Sequence, residues 1–516
     1  MSATCASATR RQPRTGLALR CAAHAAPLSL GDWRSHTAQA LDEGQRLLSL
    51  FGWRVDPHAD SDVLLTAVLL EPQGLRLVQG YARAAAHYPA LTVQHPCAQI
   101  FERELWEQTG LVPEGHPWLK PVRFEGARQG DCGSYPFFSV RGAEVHEVGV
   151  GPIHAGVIEP GHFRFMCHGE TVHHLEIQLG YQHRGVEALL LRQPPRRLGA
   201  LVESIVGDSV IAYASAFHAA LEQLSLQSMP TAVHASRAIA LELERIAMHL
   251  ATLAGMTTDI AHQQSAATYQ RLRTAVINAT QRVCGNRFGR GWIRTGSAAP
   301  ISAALRADLS HMLQAFLRDF VQVNTLVCGS RSVRARLKGV GCVPTQVATD
   351  LGLTGVVARA SGVVLDLRDA LANGATPPYP PVTETTGDCW ARMVVRMREA
   401  QASAEWLLQQ LANPELDLDG PAPLGTGADA GSAIGSSGLA RPLAPHTLGL
   451  SVIEGVRGPV LVALQTDHAG QLVHAKVQDP SLANWFGLAQ ALRGQQISDF
   501  PICNKSFDLS YCGNDL

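Results

Sequence analysis

GPIHAGVIEPGHFRF, residues 151–165, governs how the rest of the chain is read. Pro160-Gly161 places Glu159 and His162 at a tight turn that leads into a strand. His162–His168 alternates, with Phe163, Phe165 and Cys167 on one face, and Gly169-Glu170 turns the chain into Thr171–Leu179. That pattern predicts a β-hairpin within a β-rich stretch, 145–183. A carboxylate held in such a turn at a domain interface takes a raised pKa and relays protons, but a purely structural turn with a solvated Glu159 fits the same residues.

N-terminal to this stretch, residues 31–125 read as a small α/β domain. Leu41–Phe51 is predicted as a short amphipathic helix, and Asp62–Leu70 and Gly74–Tyr81 as strands split by the turn Glu71-Pro72-Gln73-Gly74. Residues 126–144 read as a linker, with polar, glycine-bearing Gly126–Gly133 at its start. C-terminal to the hairpin the pattern turns helical from 196 to about 330. In Val233–Ala254, Ile239, Leu243, Ile246, Ala247, Leu250 and Leu253 recur at helical spacing, and further helices fit 303–328 and 388–411. Residues 419–445 form a Gly/Pro/Ala/Ser tract with the composition of a flexible loop, and Pro459–Gln465 reads as a strand. The expected architecture is α+β: a disordered tail at 1–30, the domain 31–125, the linker 126–144, and a second domain, 145–516, with a helical core and β-rich ends.

The 516 residues carry 43 basic and 44 acidic side chains, a net charge of −1, which excludes a strongly basic nucleic-acid footprint over the whole chain. With 46% hydrophobic and 17% charged residues this is not a disordered composition. Mean hydropathy is +0.02, and no run approaches the length of a membrane span, so no transmembrane helix is expected, and if a membrane matters it is reached through a partner. The eleven cysteines include no CxxC, which argues against a secreted disulfide framework, a zinc ribbon, or an iron–sulfur cluster bound by this chain alone. Arg10, Arg11, Arg14 and Arg20 precede no apolar core of signal length, so the start reads as an unstructured tail.

Two further sets stand out. Glu242, Arg245 and His249 share one helix face, and Asp388, Arg392, Arg396 and Glu399 share another; both fit solvated faces or internal ion pairs. His154, His162, His168, His173, His174 and His183 crowd into 30 residues. His162 and His168 point the same way along a strand, but no HxH or HExxH occurs, and dispersed surface or core histidines fit better than a metal site.

GPIHAGVIEPGHFRF followed by LEIQLGYQHRGVE (175–187) resembles the large subunit of membrane-bound nickel–iron hydrogenases of the formate-hydrogenlyase type. More loosely, it is similar to the 49-kDa (D) subunit of respiratory complex I. FERELWEQTGLVPEGHPWLKPVRF (101–124) resembles the end of complex I's 30-kDa (C) subunit, and a fusion of the two units is the arrangement of the formate-hydrogenlyase large subunit. ELERIAMHL (242–250), GVG (339–341), GLTGVVARASG (352–362), DLR (366–368) and GDCWARMVVRMRE (387–399) extend the resemblance over roughly 35–125 and 145–516.

The resemblance implies two cysteine pairs around a nickel–iron site. In the first segment Val206 and Ser209 stand at the cysteine positions; in the second, after Asp479-Pro480, Ser481 and Asn484 do. Valine cannot ligate, and neutral serine and asparagine are poor soft-metal ligands, so no metal is expected and hydrogen turnover is excluded. Pro480-Ser481 with Asn484 resembles the Pro-Ser-x-x-Asn of the 49-kDa polypeptide of complex I, and the tail from 485 to 516 is expected to stay attached. The quinone-binding histidine and tyrosine of complex I do not carry over cleanly: His154 matches an earlier histidine of the loop, and Tyr213, the nearest tyrosine, is placed two turns too far along.

These residues imply a nickel-free subunit of a membrane-associated, NADH:quinone oxidoreductase-like or hydrogenase-like complex. Glu159 and Asp208 are the candidate proton relay, and His154, His162, Ser209, Ser481 and Asn484 the candidate cavity lining. No cofactor is assigned to this chain itself. An iron–sulfur cluster is expected in a small partner subunit and antiporter-like membrane subunits as further partners, with electrons passing to a quinone-like or other acceptor or coupled to proton or ion translocation. The implied location is peripheral, on the cytoplasmic side of the inner membrane. The alternative is a non-catalytic scaffold that holds a small iron–sulfur protein against a membrane arm.

Overall fold

In the computed structural model, residues 16–23, 26–56, 61–72, 74–128, 130, 132–142, 144–156, 158–226, 229–368, 379–414, 416, 418–419 and 442–516 are described. The chain opens with strand β1 (Gly16–Ala22) and helix α1 (Leu30–Asp42), which Ser29 caps by accepting the Asp32 amide. Strands β2 (Arg46–Arg54), β3 (Asp62–Glu71) and β4 (Gly74–Arg83) form an antiparallel sheet, and the predicted turn closes it with Glu71 opposite Gly74. Helix α2 (Gln99–Thr109) packs against β2.

Two expectations fail in this region. Leu41–Phe51 is not a helix: α1 ends at Asp42 and β2 begins at Arg46. The sheet is covered on both faces, so β2 shows no polar alternation. A bulge between Leu47 and Ser49 places Leu47 and Leu50 in one core and Leu48 and Phe51 in another, which imitates helical spacing. Nor is 1–30 all tail. β1 pairs antiparallel with residues 447–453, from Gly16 opposite Ile453 to Ala22 opposite Thr447, a partnership more than 400 residues away that local composition does not reveal. Residues 1–15 lie outside the described part, as do 420–441 of the expected loop.

The hairpin reading holds. Strands β5 (Val145–Val150), β6 (His162–His168) and β7 (Thr171–Gln178) make an antiparallel sheet, and Phe163, Phe165 and Cys167 are all fully buried. The stretch expected as a linker is in part a strap packed on this sheet. Tyr135 is buried against Phe124 and Phe137, and the Phe138 amide donates to Glu176.

The helical region is α3 (Val210–Ser225), α4 (Thr231–Asp259), α5 (Gln263–Cys284), α6 (Ala303–Gly329), α7 (Gly355–Ala360) and α8 (Cys389–Ala412). Strands β8 (Thr447–Gly455), β9 (Gly458–Thr466) and β10 (Leu472–Gln478) follow in a sheet of order β1-β8-β9-β10. The chain ends in α9 (Ser481–Ala491), α10 (Phe500–Phe507) and α11 (Tyr511–Asp515). The two sheets share a core: Leu48, Phe51 and Val68 cluster with Leu448, Leu450, Leu461 and Ala463. A buried ion pair, Lys476 to Glu104 at 2.8 Å, also joins the N-terminal domain to the second. No described helix is long and apolar enough to cross a membrane.

Candidate functional site

Four segments remote in sequence converge around positions 206, 209, 481 and 484. Residues 206–209 lead into α3, with Ser209 as its N-cap. The β8–β9 hairpin reverses between Gly455 and Gly458 and carries Arg457 on its turn. Asp479–Asn484 joins β10 to α9, and residues 506–516 close over them.

Arg457 organises the cluster. Its guanidinium donates to both Asp208 carboxylate oxygens at 2.8 and 2.9 Å, to Ser209 Oγ at 3.1 Å, and to the Asp508 carbonyl; the Asp508 carboxylate lies 3.6 Å away. Burial would raise the Asp208 pKa, but the guanidinium outweighs it and holds the carboxyl below its ordinary value. Next to this pair, Tyr213 donates its hydroxyl to Asp479 Oδ2 at 2.5 Å, and burial followed by that carboxylate pushes the phenol well above its ordinary range. Gly513 makes room for Asp479: a Cβ there would stand 2.3 Å from Oδ2.

The four positions expected to have lost a metal ligand are close-packed and occupied. Val206 is buried and apolar. Ser209 accepts from Arg457, and Ser481 Oγ accepts the Ser510 amide at 2.9 Å. Asn484 accepts the Thr354 amide at 2.9 Å and donates back to the Thr354 carbonyl at 3.3 Å. A set with no thiolate, one hydrocarbon and a guanidinium in the middle does not fit a soft metal such as nickel. Close to the cluster, Cys512 is held protonated by burial and the neighbouring Glu159 charge, which push its pKa to about 11.

The remaining sequence-predicted residues fare differently. Glu159 is exposed; its carboxylate accepts the Cys512 amide at 3.1 Å. Asp208 is taken up by Arg457 in an ion pair. Of the two relay candidates, Glu159 faces solvent and Asp208 is held ionised by Arg457. His154 and His162 brace the 151–161 loop instead of lining the cluster. His154 Nε2 bonds the Gly161 carbonyl at 2.7 Å, and His162 Nδ1 bonds the Gly151 carbonyl at 3.0 Å. His168 pairs with Glu144 on the surface at 2.9 Å.

Sequence reading missed Arg457 and Asp479 and set Tyr213 aside. The signal for Arg457 was present: a lone arginine in Gly455-Val456-Arg457-Gly458, a glycine-bounded turn between two buried strands. Tyr213 lies within the first turn of α3, its amide bonded to the Ser209 carbonyl at 3.2 Å, so it does reach the cluster. Glu244, inside ELERIAMHL, was also passed over. It accepts the Ile211 and Ala212 amides at 2.6 and 3.1 Å, and with Asp208, Arg273 and Arg287 it lines a small crevice beside the cluster. Burial pushes its carboxyl up to about 8 against those two amides.

The charged helix faces are internal ion pairs, not solvated surfaces. His249 Nε2 donates to Glu399 at 2.9 Å, Arg359 joins Glu399 at 2.7 Å to Glu454 at 2.9 Å, and Arg368 joins Asp366 to Glu242. Glu399 is held well below the usual carboxylate range: burial opposes this, but Arg359 and the His249 hydrogen bond prevail. Arg245 in turn donates to the Glu454 and Gly455 carbonyls at 2.7 and 3.1 Å, so the network anchors the hairpin that presents Arg457.

Residues 259–421 match the model of a family described as respiratory-chain NADH dehydrogenase, 49 Kd subunit. The chain is 25% identical over 453 residues to hydrogenase-4 component G of Escherichia coli (strain K12), covering 83% of this chain and 76% of that protein. It is 26% identical over 375 residues to membrane-bound hydrogenase subunit alpha of Pyrococcus furiosus, covering 69% and 84%. Over 387 residues it is 26% identical to NADH-quinone oxidoreductase subunit 4 of Thermus thermophilus, covering 71% and 92%. The resemblance drawn from the motifs is thus borne out on both its hydrogenase and its complex I side.

Proposed function

We propose that this chain is a complex I-like subunit of a membrane-associated, multi-subunit oxidoreductase, and that its former metal cavity works without nickel. The relatives named above support the first half. The second half rests on one observation: the ligand positions surround an Arg457–Asp208 ion pair and a Tyr213–Asp479 hydrogen bond, a constellation suited to protons and not to a soft metal.

In this proposal electrons arrive from a small iron–sulfur partner bound near the cluster, and antiporter-like membrane proteins complete the assembly. The acceptor is a quinone or another carrier that takes up protons with electrons. The Tyr213 hydroxyl gives its proton to Asp479, so the two form a buried proton-holding pair. Glu244 is a carboxyl that changes charge near neutral pH beside Asp208. The chain sits against the cytoplasmic face of the membrane through its partners.

The scaffold alternative draws on a specific observation as well. Ser209, Ser481 and Asn484 are all satisfied by neighbouring protein groups, so these positions need no ligand to complete them. The test is affinity isolation of the tagged chain from membranes of its own host, followed by assay of quinone-analogue reduction. The proposal expects an iron–sulfur protein and antiporter-like proteins in the isolate, and loss of turnover in Tyr213→Phe with the assembly intact. A scaffold gives the same isolate with unchanged turnover. A chain that leaves the membrane alone overturns both.

A further inference from the structure

Away from the cluster, GVG and GDCWARMVVRMRE meet α10 in a small thiol-rich knot. Cys389, the first residue of α8, and Cys503 of α10 are both fully buried. One nitrogen, Arg392 Nη2, approaches both sulfurs, at 3.4 Å to Cys389 and 3.9 Å to Cys503. Ser506 Oγ lies 3.4 Å from the Cys389 sulfur, and the same sulfur rests 4.0 Å from the Ile502 carbonyl, against the backbone that carries Cys503. Gly341 seals the knot: at φ +61° it accepts from Arg392 through its carbonyl at 3.1 Å, and a Cβ there would stand 2.4 Å from Cys503 Sγ. A third cysteine, the exposed Cys342, follows directly in sequence.

We propose that Cys389 and Cys503 are a redox pair that closes to a reversible disulfide when the protein meets a peroxide. Two buried structural thiols would not need a shared guanidinium, which is a group that stabilises a thiolate. The Ser506 hydroxyl donates chiefly to the Cys503 carbonyl, at 2.6 Å, and so ties the two ends of the knot together. The Cys389 thiol is accordingly lowered, chiefly by the Cys503 hydrogen bond and then by Arg392 and Ser506 against burial, while burial holds Cys503 protonated.

The chemistry balances. The Cys389 thiolate attacks one peroxide oxygen, the O–O bond breaks, and hydroxide leaves and takes up a proton, giving a sulfenic acid. The Cys503 sulfur then attacks the sulfenic sulfur. The S–S bond forms, the S–O bond breaks, and water departs with the Cys503 proton. The pair loses two electrons and one peroxide becomes two waters. The closed bond ties the start of α8 to α10. Asp508, the residue that ends α10 five positions past Cys503, accepts from Arg457, so the helix that carries Cys503 also touches the central cluster.

The test treats the full chain, in the assembly from which it is isolated, with hydrogen peroxide and then blocks free thiols under denaturing conditions before non-reducing digestion and mass spectrometry. The proposal expects a Cys389–Cys503 cross-linked peptide that dithiothreitol reverses, that is absent in Cys503→Ser and that persists in Cys342→Ser. Unlinked, fully alkylated Cys389 and Cys503 after peroxide overturn it. So does oxidation of Cys389 to sulfinic acid without a cross-link. Both readouts come from the unmutated chain, so a variant that fails to fold does not protect the idea.

Discussion

Replacing Arg457 by methionine removes the cation from the centre of the cluster and keeps the volume of its aliphatic stem. Four hydrogen bonds disappear: two to Asp208, one to Ser209 and one to the Asp508 carbonyl. Breaking a fully buried ion pair costs about 3–5 kcal/mol, because a charge is left alone in the interior. The Asp208 side chain is 36% exposed, so water takes over part of Arg457's role, and the expected loss is at the low end, about 3 kcal/mol. Asp208→Asn should cost less, about 1 kcal/mol, because Arg457 keeps Ser209 and Asp508. The double variant should cost little more than Arg457→Met alone, giving a coupling energy of about 1 kcal/mol in the cycle. The pair also has a pH signature. Asp208 has a lowered folded-state pKa, so the pair's contribution is present above the unfolded aspartate pKa and is lost as pH falls through the folded value. Urea titration of the isolated assembly, followed by a probe confined to this chain, measures each term. A cost for Arg457→Met below about 0.5 kcal/mol, or full additivity, would show that the cluster is not organised around Arg457.

Acid should destabilise the chain before its exposed, ordinary carboxylates protonate. His218 is buried with its pKa lowered to about 3 by burial and then by Arg237, and His249 to about 4 by burial, so both stay neutral in the fold but charge when unfolded. Stability then falls as pH drops below about 6.5, by roughly 2 kcal/mol from His218 alone at pH 5, which a melting series and His218→Phe would read. Gly513→Ala should displace Asp479 and weaken its bond to Tyr213, visible as a destabilisation of about 2 kcal/mol, whereas Gly31→Ala in α1, with open space around it and helical backbone, should cost nothing. Glu159→Gln should change stability by less than about 0.5 kcal/mol and leave turnover intact, since the carboxylate is exposed; a lost proton uptake would establish Glu159 as a proton relay.

The parts of the fold that were legible are those with local cause. β6, β7, α4, α6 and α8 follow from alternation or helical spacing that any short window of sequence contains. β1 and β2 were not legible, because one is recruited by a strand at the other end of the chain and the other is sandwiched between two cores with a bulge. The site divides along the same line. The missing thiolates at 206, 209, 481 and 484 could be read directly from the sequence. What fills their space could not, since Arg457 arrives from a turn some 250 residues beyond Asp208. The environment of Asp208 was hidden for the same reason: a remote arginine claims it.

Metal analysis of the assembly isolated from its own host tests the central claim most directly, with the protein quantified in the same sample. Nickel is expected at background level relative to this chain, in preparations whose iron content shows that the iron–sulfur partner is present. About one nickel per chain, retained through purification in a chelator, would contradict it.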